Sequence, residues 1–144
     1  MSNNELFCSE EWQKLTNIAL AMTNAALEDE VHQRSSLYVK LERYVVALFW
    51  KFGRDPALLE VLADYTLDKA KAIELYNEAI STLEAKGDDA SSVRLDLSLA
   101  MHSQGDAFQM IEDVMAGIDL RKLDEHELYV YRDLVAKLEK PRKT

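Results

Sequence analysis

Turn-forming residues are scarce, with two prolines and four glycines in 144 residues. That is too little punctuation for a many-stranded β fold or a Pro/Gly-rich disordered chain. Cysteine is scarcer still: Cys8 stands alone, so no intramolecular disulfide framework exists and nothing points to an oxidising compartment. The longest apolar run, residues 44–50, falls far short of the ~20 residues a membrane helix needs. Basic residues are outnumbered 17 to 26, and a formal charge of -9 repels phosphate backbones, which argues against nucleic-acid partners and for a basic one. Residues 1–11 show no basic segment followed by an apolar core, so no secretory signal is read there and a cytoplasmic location is expected.

What is present is apolar residues at helical spacing. They make up 48% of the chain, enough for a core without disulfide or metal. Ser9 precedes Glu10 and Glu11, an N-cap followed by anions that the helix dipole favours, and Trp12, Leu15, Ala19, Met22 and Ala26 follow at helical intervals. This predicts a first helix over 9–28, with the acidic step 28–30 as a corner. Leu37, Leu41, Val45 and Leu48 carry a second helix through the run 44–50, which rules out a buried strand there despite its aromatic and β-branched content. Phe52-Gly53 ends that helix, and Asp55-Pro56 opens a short third one reaching about residue 65. Thr66 or Asp68 starts a fourth, running to Lys86-Gly87. Residues 88–92 offer caps for a fifth, and Gly105-Asp106 marks its end and the start of a sixth through Phe108, Ile111 and Val114. Asp124 and Glu127 form a capping box for a seventh, bearing Leu128, Tyr131, Leu134, Val135 and Leu138. The expected fold is all-α, with about seven helices in antiparallel hairpins. It is read as one domain over 9–139, between an N-terminal tail 1–8 and a basic tail 140–144.

Ala72, Tyr76 and Ala79 place small, aromatic and small residues on one stripe, where the small members let a neighbouring helix approach and the ring fills the gap. Leu97-Ser98-x-x-Met101 and the turn Gln104-Gly105-Asp106 follow about one unit later. This stretch resembles a tetratricopeptide repeat, with Ala72, Tyr76 and Ala79 on its second helix and Leu97, Ser98 and Met101 opening the next repeat. Trp12 and Leu15 match two further anchors. Placing Met110 and Val114 on Ala72 and Tyr76 continues the pattern in a degenerate form, with Met110 and Gly117 at positions that small packing residues usually hold. The alternative is a generic helical bundle with these residues at those spacings.

The resemblance implies a short α-solenoid of stacked hairpins that binds another polypeptide without catalysis, as adaptor, class II secretion chaperone or immunity-type protein. Carried over by position, the first helix of each hairpin lines a concave groove, pointing to Gln13, Asn17 and Leu20, to Glu60 and Asp64, and to Leu95, Leu99 and His102. Amides beside carboxylates suit an extended basic segment. Leu95 and Leu99 supply an apolar pocket or else pack internally.

Chemistry-bearing constellations are thin. Glu60, Asp64 and Asp68 sit four apart, but a helix start at Asp68 would break their column. Glu74 and Glu78 share that spacing, and with Glu60 and Asp64 they define the alternative reading, a helical metal-dependent hydrolase. His32, His102 and His126 lack the spacing of zinc ligands, and the acids beside Cys8 oppose a thiolate, which leaves it as a partly buried thiol. No cofactor, metal or catalytic residue is assigned. A further alternative is a structural homodimer subunit, because the second helix is apolar on all sides around Trp50 and Phe52 and needs cover from the first and fourth helices or from a second copy.

Overall fold

A computed structural model describes residues 6–27 and 31–139, and the side chains of all these except 25–27 and 31–35. The described residues form seven α-helices and no strand: α1 (Glu10–Leu27), α2 (Val31–Phe52), α3 (Pro56–Tyr65), α4 (Lys69–Ala85), α5 (Ser91–Gln104), α6 (Phe108–Met115) and α7 (Glu125–Glu139). A 3-10 turn at Leu120–Lys122 lies in the one long connection. The expected corner at 28–30, the basic tail 140–144 and the His32 side chain fall outside the described residues.

Most helix ends follow from local chemistry. The Ser9 hydroxyl accepts the Trp12 N–H at 3.0 Å, and Asp55 Oδ1 accepts the Ala57 N–H at 2.9 Å with Pro56 in the first turn. Asp68 accepts from Ala70 and Lys71, so it caps α4 and cannot extend the carboxylate column of α3. Asp124 and Glu127 exchange bonds, the Glu127 N–H to Asp124 Oδ1 at 2.8 Å and the Asp124 N–H to Glu127 Oε1 at 3.0 Å. Gly53 and Gly105 follow α2 and α5 at φ +76° and +88°, where a side chain would strain the backbone.

Two starts differ from expectation. α5 is preceded by Ala90, whose methyl group cannot cap it, and Ser91 is already its first residue; the Ser91 hydroxyl donates to Asp89 Oδ1 at 2.7 Å and accepts the Asp119 N–H at 2.9 Å. α6 starts behind Ala107, also without a side-chain cap, while Asp106 accepts from the Gln104 amide. The N-terminal boundary also moves. Leu6 is 1% exposed and its carbonyl accepts the Ser9 hydroxyl, so residues 6–8 belong to the folded part and not to a tail.

Contacts group the chain into two compact units, Met1–Leu67 and Asp68–Thr144, a finer division than the domain read from the sequence. In the first, α2 packs on α1 and α3, and α1 touches α3. Leu15, Ile18 and Met22 of α1 and Leu41, Val45 and Leu48 of α2 are buried. Each such side chain contributes roughly 1.5–3 kcal/mol relative to exposure. Hydroxyls of Thr23 and Tyr65, 3.1 Å apart, join α1 to α3. The opposite side of α2 is not covered by the described residues of this chain at Trp50, which is 89% exposed.

In the second unit α5 is the hub, packing on α4, α6, α7 and the 3-10 turn. Val93, Leu95 and Leu97 are all buried although successive members point to different sides of the helix, which requires neighbours on more than one face. Ala72, Tyr76 and Ala79 of α4 are buried as the stripe requires, and so are Leu97, Ser98 and Met101 of α5. On α6 the buried pair is Ile111 and Met115, while Met110 is 56% exposed and Val114 half-buried, so α6 turns its inner face one residue later than the repeat alignment places it.

Candidate functional site

α6 and α7 both rest on α5 and leave a groove between them. α6 is only eight residues long, and the connection after it is tied down elsewhere: Asp119 bonds the Arg121 N–H at 3.0 Å and donates its own N–H to Ser91. α7 therefore returns at a distance from α6 instead of closing on it. The resulting cavity, about 330 Å³, is lined by Phe108, Met115 and Ala116 on one side and by Tyr131, Val135 and Leu138 on the other, with Glu112 and Glu139 among its walls. A second cavity of about 420 Å³ shares Phe108 and Leu138 with it and continues past His102, Asp106 and Lys137.

Phe108, Tyr131, Val135 and Leu138 are half-buried, which leaves apolar surface for a ligand, whereas Glu112 and Glu139 are exposed. Among the described residues, the first groove has no lysine or arginine in its lining. The Lys137 ammonium, in the second, is held at 2.9 Å by Asp133 one turn away. Carbonyl groups at the C-terminal end of α6 add negative potential near Glu112. One of them, that of Val114, is taken by Arg94 Nη1 at 3.0 Å. An apolar anchor accompanied by a positive charge is the ligand chemistry such walls favour.

The residues expected to line a groove are divided between the units. In the first unit Gln13, Asn17 and Leu20 share one exposed face of α1, and Glu60 and Asp64 lie one turn apart on α3, half-buried and exposed. In the second, His102 is exposed and lines the second cavity, Leu99 is half-buried, and Leu95 is 2% exposed. Leu95 is therefore a core residue of the hub helix and offers no pocket, which corrects that assignment. Glu74 and Glu78 occupy successive turns of α4. Cys8 is exposed rather than partly buried, and His126 is exposed.

Two carboxyls outside the groove sit below their ordinary values. Asp119 is lowered by the Arg121 side chain, at 3.1 Å, and by the Arg121 backbone N–H; the same pair raises Arg121. Glu11 is lowered first by a backbone hydrogen bond and then by Lys51, 3.2 Å away.

No family model, curated protein or solved structure matches this chain. The α6/α7 groove was missed by sequence reasoning, which placed Tyr131, Val135 and Leu138 on the seventh helix without reading a site there. The signal was the width of the apolar stripe on α7, which exceeds what one neighbour covers: of Leu128, Tyr131, Leu134, Val135 and Leu138, Leu134 alone is fully buried.

Proposed function

We propose that this chain is a non-catalytic protein-binding module, a small tetratricopeptide-like adaptor, chaperone or immunity-type protein. Its α6/α7 groove holds a short segment of another polypeptide with an apolar side chain next to Lys or Arg. The observation that supports it best is the groove itself, with apolar walls from Phe108, Met115, Tyr131, Val135 and Leu138 beside the carboxylates of Glu112 and Glu139. The acidic balance of the whole chain favours the same partner by steering it. The hairpin of α4 and α5, with Ala72, Tyr76 and Ala79 buried, fits the repeat resemblance.

The test is binding of a labelled peptide with Leu anchors flanked by Lys and Arg, followed by anisotropy. Saturable binding tighter than about 100 µM is expected, weakened by Val135→Glu and by Glu112→Lys, while the same peptide with Glu in place of the cations stays unbound at this site. Binding indifferent to both substitutions removes the groove from the reading. A melt with and without Mg²⁺ or Mn²⁺ separates the adaptor from a metal-dependent hydrolase: a ligand that binds only the folded state raises Tm by mass action, and the adaptor predicts no rise.

A further inference from the structure

We propose that the exposed face of α2 is a second docking surface, of opposite sign to the groove, which takes an acidic amphipathic helix of a partner protein. Val39, Arg43, Val46, Ala47 and Trp50 recur at three- and four-residue spacing and form one stripe along α2. It lies opposite Leu41, Val45 and Leu48, each at most 1% exposed, so α2 carries two apolar faces and its unit covers one. Val39 and Val46 are 48% and 46% exposed, and Trp50 is 89% exposed. Isolated exposed apolar residues are ordinary, whereas a tryptophan aligned with two valines on one helix face makes a contiguous patch. Tryptophan and arginine are also the side chains that most often anchor interfaces.

Charge selects the occupant. Residues 40–54 hold Lys40, Arg43, Lys51 and Arg54 against one acid, Glu42, in a chain whose net charge is -9; Lys51 is paired with Glu11 of α1 at 3.2 Å, so Lys40 and Arg43 are the cations beside the stripe that matter here. Glu42 is half-buried and accepts a bond from the Tyr38 hydroxyl at 3.1 Å, whereas Lys40 and Arg43 are exposed beside the apolar stripe. Lys51 and Arg54, at the end of the helix, lie over the rings of Phe52 and Phe49 at 5.3 and 4.8 Å. A second copy would bring the same cations against each other, and like charges across an interface are penalised. An anionic membrane meets the whole acidic chain. A helix-sized partner meets chiefly what lies within a Debye length of about 8 Å, where the exposed Lys40 and Arg43 flank the stripe. Apolar side chains over Val46 and Trp50, with Asp or Glu reaching Lys40 and Arg43, complete an ordinary helix-on-helix contact.

The experiment uses the full chain and a labelled helix-forming peptide with Leu along one face and Glu on both flanks. Its controls are the same peptide with Lys for Glu, phosphatidylserine vesicles and sedimentation equilibrium. Circular dichroism checks that each variant is folded. The acidic peptide is expected to bind, to weaken at least about tenfold with Trp50→Ser or with Arg43→Glu, to weaken in about 0.5 M salt, and to be indifferent to Val135→Glu. That last arm separates this surface from the α6/α7 groove. Absence of binding, equal binding of the Lys peptide, or indifference to both α2 substitutions overturns the proposal. Vesicle binding without peptide binding assigns the face to lipid, and a dimer dissolved by Trp50→Ser assigns it to a second copy; either result also overturns it.

Discussion

A Cβ on Gly117 would lie 2.5 Å from Cζ of Arg94, so the glycine after α6 leaves the space that the arginine of α5 fills. Arg94 Nη2 donates to both oxygens of Glu84 at 3.0 and 2.9 Å, while Nη1 donates to the Val114 carbonyl at 3.0 Å. One side chain thereby joins α4, α5 and the end of α6. Glu84 is half in water, which screens the ion pair, so much of the value of the contact rests on the Val114 bond and on geometry.

Gly117→Ala is expected to displace the guanidinium and lower stability by about 1 kcal/mol, or about 3–5 °C in Tm. The displaced group is the flexible end of a side chain, which keeps the cost moderate. In an Arg94→Ala background the same substitution should cost nearly nothing, and a double-mutant cycle by thermal melting reads this coupling. Additive effects would show that Gly117 is required for another reason.

The face of α6 is tested by two neighbouring substitutions. Ile111 is 1% exposed, so Ile111→Ala should cost about 2–4 kcal/mol through lost burial and a cavity. Met110 is 56% exposed, and Met110→Ser should stay within about 0.5 kcal/mol. Urea midpoints measure both, and the reverse order would restore the repeat register that places Met110 and Val114 inward.

Acid should weaken the fold partly through Asp119 and Glu11. Both carboxyls are lowered in the folded chain, so below neutrality the unfolded chain binds the extra protons. Their contribution is complete above the ordinary carboxylate range and is lost as pH falls through about 4 and below. The difference in Tm between wild type and Asp119→Asn is therefore expected at pH 7 and should close toward pH 3. Because both groups are half-exposed, salt should shrink it. A difference that persists at pH 3 would mean that the Asp119 carboxylate does not carry the effect.

Helix positions were legible because their causes are local. Ser9, Asp55, Asp68 and the Asp124 and Glu127 pair act on backbone groups within three residues, and Gly53 and Gly105 act on their own φ angles, so sequence neighbours suffice. Ser91 shows where that fails. It lies one residue inside the helix that Ala90 precedes, and its hydroxyl accepts the distant Asp119 N–H, a partner 28 residues away that no local rule anticipates.

The sequence by itself determined an all-helical chain with its breaks and caps, because 3.6-residue periodicity and end chemistry are written in consecutive residues. Only the tertiary structure decided which apolar faces were spent internally. Leu95 vanished into the hub because α5 has neighbours on several sides, whereas Trp50 and the α6/α7 groove stayed open because no described helix packs there. A hydrophobic stripe specifies that a surface prefers cover; which chain supplies the cover depends on where other helices come to rest.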